Sequence, residues 1–137
     1  MNKPIGYWIK RLDAALEAQL DSILARIKLS RRQWQTLSVL SEGAMLPDHL
    51  EESLRPLWGS DVRMRERELA ALVGRGMITM VDDRLVLSDL GREKFHEAQR
   101  LVEAARQDLS MGIGIDEYAM ALSVLERMSH NAERLAR

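Results

Sequence analysis

Between Val62 and Gly76 four arginines, Arg63, Arg65, Arg67 and Arg75, stand against two glutamates, Glu66 and Glu68. That is a local surplus of +2 in a chain of 137 residues whose net charge is −1. A guanidinium presents a rigid fork of donors that pairs bidentately with a phosphate or with the major-groove edge of guanine. A chain without overall positive charge must concentrate its cations locally to hold a polyanion, and this stretch is where it does so. Arg31 and Arg32 add a second small cluster, and Arg84 a third site. Other chemistry is poorly provided for. His49, His96 and His130 fall in three separate predicted helices with no ligand spacing, and the absence of cysteine excludes disulfides, thiolate metal sites and a Cys nucleophile. No Gly-rich phosphate loop or Ser-His-Asp arrangement occurs. The residues predict a non-enzyme with no metal or cofactor.

These arginines need elements to hold them. An apolar fraction of 46%, a charged fraction of 30% and an aromatic fraction of only 4% describe a globular chain that favours helices. No run approaches the roughly 20 apolar residues of a membrane span, and the first residues carry charges every few positions with no signal-peptide core. The expectation is a cytoplasmic protein with no membrane contact. Ile5, Ile9, Leu12, Leu16, Leu20, Ile23 and Ile27 recur at three- and four-residue spacing, a long amphipathic helix ending near Lys28. Ser30 and Gln33 form an S-x-x-Q capping box at the head of a second helix that carries Trp34, Leu37 and Leu40 and stops near Gly43. Asp48 and Glu51 repeat the capping pattern before a short third helix, which Pro56 strains or ends. Ser60 and Asp61 cap a fourth helix reaching Arg75 and closed by Gly76. The period then changes to two short β-type runs, 77–81 and 84–87, joined by Asp82-Asp83 as a two-residue turn. From Ser88 helical spacing returns, breaks at Gly112 and Gly114, and resumes in a last helix capped by Asp116.

The order is helix, helix, helix, helix, hairpin, helix, helix: mainly α with one small β-hairpin, in a single domain over 1–137. Its centre, about 29–87, has the order of a winged helix-turn-helix, in which a recognition helix enters the major groove and the hairpin lies along the backbone. On a helical wheel Val62, Leu69, Leu72 and Val73 fall on the inner side of the fourth helix. Arg63, Met64, Arg67, Ala71, Gly74 and Arg75 fall on the outer side. The candidate DNA-contacting set is therefore Arg31, Arg32, Ser60, Asp61, Arg63, Met64, Arg67, Arg75 and Arg84.

Three segments carry a family resemblance. Leu29-Ser30-Arg31-Arg32-Gln33-Trp34 resembles the segment opening the second helix of MarR-family regulators. Leu69-Ala70-Ala71-Leu72-Val73-Gly74-Arg75-Gly76-Met77-Ile78 is similar to that family's passage from recognition helix into wing. Leu87-Ser88-Asp89-Leu90-Gly91-Arg92 is similar to its passage from wing into the next helix. The wing, Val81-Asp82-Asp83-Arg84-Leu85, is shorter than the family's usual one, which places the chain with a divergent short-wing subset. The resemblance implies a transcriptional regulator that binds double-stranded DNA as a homodimer, with dimerisation helices at about 4–28 and 88–137. It also implies a small-molecule effector between those helices and the winged core, where Tyr7, Trp8, Trp34 and Met111 are the candidate lining residues. The near-neutral charge, the short wing and Asp82-Asp83 keep a second reading open, a winged-helix protein-interaction module that does not bind DNA.

Overall fold

The computed structural model describes residues 2–59 and 61–136. In chain order the elements are α1 (Ile5–Ala25), α2 (Arg31–Leu40), α3 (Pro47–Trp58), α4 (Val62–Gly74), β1 (Ile78–Val81), β2 (Arg84–Leu87), α5 (Asp89–Leu109) and α6 (Ile115–Leu135). This is the expected mainly helical winged architecture. Its contacts divide the chain into a unit up to Val102 and a unit from Glu103 onward, the boundary falling inside α5.

The first unit is built around one apolar cluster. Leu24, Ile27 and Leu29 at the end of α1 meet Leu37 and Leu40 of α2, Leu50, Leu54 and Trp58 of α3, and Leu72 of α4. Met77, Ile78, Leu85 and Leu87 of the hairpin and Ala98 and Val102 of α5 close it. Leu24, Leu37 and Leu72 are fully buried; each contributes roughly 1.5–3 kcal/mol by leaving water.

Several local features follow directly from residue chemistry. The capping box forms as expected: the Gln33 backbone N–H donates to Ser30 Oγ and the Ser30 N–H to Gln33 Oε1, both at 3.0 Å. α1 and α4 end in the same way. At each end a left-handed residue, Lys28 (φ 60°) or Gly76 (φ 76°), turns the chain. The following N–H then reaches back across the turn, Leu29 to the Leu24 carbonyl and Met77 to the Leu72 carbonyl, both at 3.0 Å. In both cases the apolar residue after the turn is buried, which completes a Schellman motif. The hairpin pairs Ile78 with Leu87 through Val81 with Arg84. Asp82 and Asp83 adopt φ 51° and 65°, the two left-handed positions of a type I′ turn.

One further rung was not visible in the residue pattern. Met45 pairs with Leu85, the backbone bonds measuring 3.0 and 2.7 Å, and so ties the wing to the segment between α2 and α3. Two expected caps are corrected. α3 begins with Pro47 after Leu46, with no side-chain cap, so Asp48 lies inside the first turn. α6 is preceded by Gly114, whose N–H donates to Glu117 at 3.1 Å, so Asp116 is not the cap. Pro56 sits inside α3, which still runs to Trp58. At the head of α5, Ser88 Oγ accepts the Gly91 N–H at 3.0 Å and donates to the Gly76 carbonyl.

The second unit contains α6, in which no residue is buried. Among the described residues no helix is long and apolar enough to cross a membrane.

Candidate nucleic-acid interface

α4 is held at both ends and from beneath. Asp61 Oδ1 accepts the Met64 N–H at 3.1 Å and caps the helix. Arg65 turns inward, where its Nη2 pairs with Glu51 Oε1 at 2.7 Å and its Nη1 donates to the Gly59 carbonyl at 3.1 Å. The Arg65 side chain is only 10% exposed, so the pair bolts α4 to α3 in a place where water competes weakly. At the other end, Arg75 Nη1 donates to the Lys28 carbonyl at 2.6 Å and to Gln33 Oε1 at 3.4 Å. Ser30 Oγ adds a bond to Glu68 at 3.3 Å.

This orientation corrects the helical wheel. Met64 is 8% exposed and belongs to the core, while Val62 and Val73 face solvent at 51% and 47%. The inward stripe runs through Arg65, Leu69 and Leu72, so the helix is rolled relative to the apolar face expected from Val62 and Val73. The polar Arg65 hid that stripe. The spacing of four and then three from Arg65 to Leu69 to Leu72 is the signal that would have revealed it, together with a carboxylate, Glu51, on the preceding helix.

Arg63 and Arg67 remain where they were expected, exposed and one helical turn apart. With Asp61, Glu66 and Ala70 they line a shallow depression on the outer face of α4. Neither arginine takes part in an ion pair among the described residues, so their donors are open to an incoming acceptor. Ala70 and Gly74 leave that face low, which permits close approach of a partner. Arg32 and Arg84 are also exposed. Arg31, by contrast, is drawn to α1, pairing with Glu17 at 2.9 Å and Asp21 at 3.5 Å. Ser60 lies outside the described residues.

Of the four residues considered for an effector, Tyr7, Trp8 and Trp34 lie in the first unit. Tyr7 and Trp8 stack edge to face at 5.2 Å on the exposed side of α1. Lys3 lies over the Tyr7 ring and Arg11 over the Trp8 ring, at 5.3 and 5.5 Å. Trp34 packs against the core of the first unit, and its Nε1 is buried without a hydrogen-bond partner among the described residues. Met111 belongs to the second unit and is 78% exposed.

The fold and the exposed arginine helix define a winged helix-turn-helix protein with the architecture of MarR-family transcriptional regulators. No protein-family model matches the sequence. Among solved structures, the reduced form of MarR from E. coli is similar at 21% identity over 93% of this chain and 95% of its own, with a TM-score of 0.74. A MarR-family protein of Mycobacterium tuberculosis, solved in complex with DNA, matches at 20% identity over 93% and 98% of the two chains, with a TM-score of 0.77. The transcriptional repressor CouR, bound to p-coumaroyl-CoA, matches at 25% identity over 92% and 91%, with a TM-score of 0.74.

Proposed function

We propose that the protein is a transcriptional regulator that binds double-stranded DNA as a homodimer through α4. The observation that carries this reading is the pair Arg63 and Arg67, exposed and without ion-pair partners among the described residues, on a helix that Arg65, Asp61 and Arg75 fix from beneath and at both ends. A helix of this kind fits the major groove, where arginine reads guanine or clamps the flanking phosphates. Arg32 and Arg84 supply backbone contacts to either side of it. Support also comes from the M. tuberculosis protein, which shares the fold and was solved with DNA.

The dimer rests on uncovered apolar surface. α6 exposes Ile115, Tyr118, Met120, Leu122, Leu125 and Met128, and α1 exposes Ile5, Tyr7, Trp8, Ile9, Leu12 and Leu16. Such rows are costly to leave in water and are what a second copy would cover. A twofold dimer would place its two α4 helices about 34 Å apart, one turn of DNA, and read a pseudo-palindrome. A small ligand held near Tyr7, Trp8, Trp34 or Met111 would release DNA if it preferred a different spacing of the two helices. CouR, which shares the fold, was solved with p-coumaroyl-CoA bound.

The test is binding of the purified protein to DNA from upstream of its own gene at several salt concentrations, beside Arg63→Ala/Arg67→Ala. Sequence-preferring binding that falls with salt supports the reading, provided the slope drops by roughly 1 for each phosphate that the variant no longer neutralises. A folded dimer with no preference over random duplex, unchanged by the substitutions, refutes it. That result would favour the protein-interaction module, for which Asp82 and Asp83 at the wing tip and Asp61 and Glu66 beside the arginines would then be the contact charges.

A further inference from the structure

A cavity of about 160 Å³ opens between α3 and α4, within the first unit. Its apolar walls are Leu50, Leu54 and Trp58 of α3 and Leu69 of α4. An apolar protein cavity of about 150 Å³ admits benzene, so one ring fits here. The Trp58 indole N–H is taken by Gln35 Oε1 at 2.6 Å, which leaves its ring as lining.

The charges around the cavity choose the ligand. Asp48, Glu51 and Glu66 bring three carboxylates to the lining, against the single guanidinium of Arg65. That guanidinium is committed to Glu51 and the Gly59 carbonyl, and Arg55, outside the lining, shares Glu51 at 3.4 Å; Asp48 and Glu66 take part in no ion pair among the described residues. A carboxylate-bearing ligand would meet net negative charge, whereas a positive head group would be attracted by it and by the indole face. We infer that this cavity is a binding site for a single-ring organic cation, its ring among Leu50, Leu54, Trp58 and Leu69 and its charge at Glu66 and Glu51. The site shares no lining residue with Tyr7, Trp8, Trp34 or Met111. A cation competing for Glu51 would loosen the Arg65 bolt and let α4 shift against α3. That consequence for DNA rests on the function proposed above; the binding itself does not.

Three probes with one ring and different charge test the site in the full chain without DNA: benzylammonium, benzyl alcohol and benzoate. The readout is the Trp58 indole N–H resonance, assigned with Trp58→Phe. Benzylammonium is expected to shift it saturably, with a Kd at least about tenfold below those of the other two, a difference well above measurement error. Glu66→Gln should weaken benzylammonium by about tenfold and leave benzyl alcohol unchanged. Val62→Trp, at an exposed position on the cavity rim, should abolish the shift. Preferred binding of benzoate, equal binding of all three, or no shift at about 10 mM benzylammonium overturns the inference, since a Kd of about 1 mM would by then be nearly saturated. If benzylammonium binds as stated while the protein shows no affinity for DNA, the site stands and the regulator reading falls.

Discussion

Replacing Arg65 with methionine separates the arginine that holds α4 in place from those that face outward. The substitution keeps the apolar stem that packs against the core and removes the guanidinium. Gone with it are a charge-assisted bond to Glu51 at 2.7 Å and a bond to the Gly59 carbonyl at 3.1 Å. Bonds to charged groups contribute about 1.5–3 kcal/mol and neutral ones about 1. Glu51 is not stranded by the change, because its side chain is 37% exposed and Arg55 lies 3.4 Å away. Together the two bonds come to about 2.5–4 kcal/mol, and water at the part-exposed Glu51 brings the cost down to about 2–3, short of the 3–5 that an isolated buried charge would impose. For a chain of this size that lowers Tm by about 10 °C. Urea and thermal melts at one fixed protein concentration measure it, since the stability of a self-associating chain depends on concentration. Glu51→Gln and the double variant complete a cycle whose coupling should exceed about 1 kcal/mol. Well below its melting point Arg65→Met should keep the salt dependence of DNA binding, while Arg63→Ala should lose about one unit of slope. A Tm within about 2 °C of the parent, or a salt slope reduced as in Arg63→Ala, would show that Arg65 does not act as a bolt.

Other substitutions probe the remaining supports. Gly91→Ala should destabilise by at least about 3 kcal/mol in urea unfolding, because a Cβ there would overlap the Met77 carbonyl and lie 2.9 Å from its carbon. Ser30→Ala removes the cap of α2 and the bond to Glu68; a decrease of about 1 kcal/mol is expected in the same assay. Asp83→Gly should stabilise the wing by about 0.5–1 kcal/mol, since glycine adopts the left-handed second turn position without strain. Leu122→Glu with Leu125→Glu should convert a dimer to monomer in sedimentation velocity, and a dimer that persists would move the interface off α6.

Much of the fold was legible because several local rules agreed. Ser30 with Gln33 marked a helix start that formed as a capping box, and Asp82-Asp83 marked a turn that only residues tolerant of positive φ make easily. Gly76 announced the end of α4. What stayed hidden depended on partners distant in sequence. The Met45–Leu85 rung is a single pair with no periodicity to read. Met64 and Arg65 both turned inward, against the helical wheel, because Glu51, fourteen positions earlier, makes a buried arginine acceptable. At Gly114 the cap came from a backbone N–H reaching Glu117, so the nearest carboxylate, Asp116, was the wrong choice. The outward pair Arg63 and Arg67 was legible; the engagement of Arg31 and Arg75 within the chain was not, since it needs the corner where α1 turns into α2.

That corner has a mechanical meaning. Arg75, one residue past α4, grips the carbonyl of Lys28, the left-handed residue that ends α1. Two helix ends are thereby joined by one short rod with little slack. A torque that rolls α1 by any appreciable angle must either drag the foot of α4 with it or break that grip. Since the head of α4 is bolted to α3, the pull would twist α4 about its own axis before it displaced it sideways. Arg63 and Arg67 would then swing across the line of the helix like the teeth of a key turned from its shank.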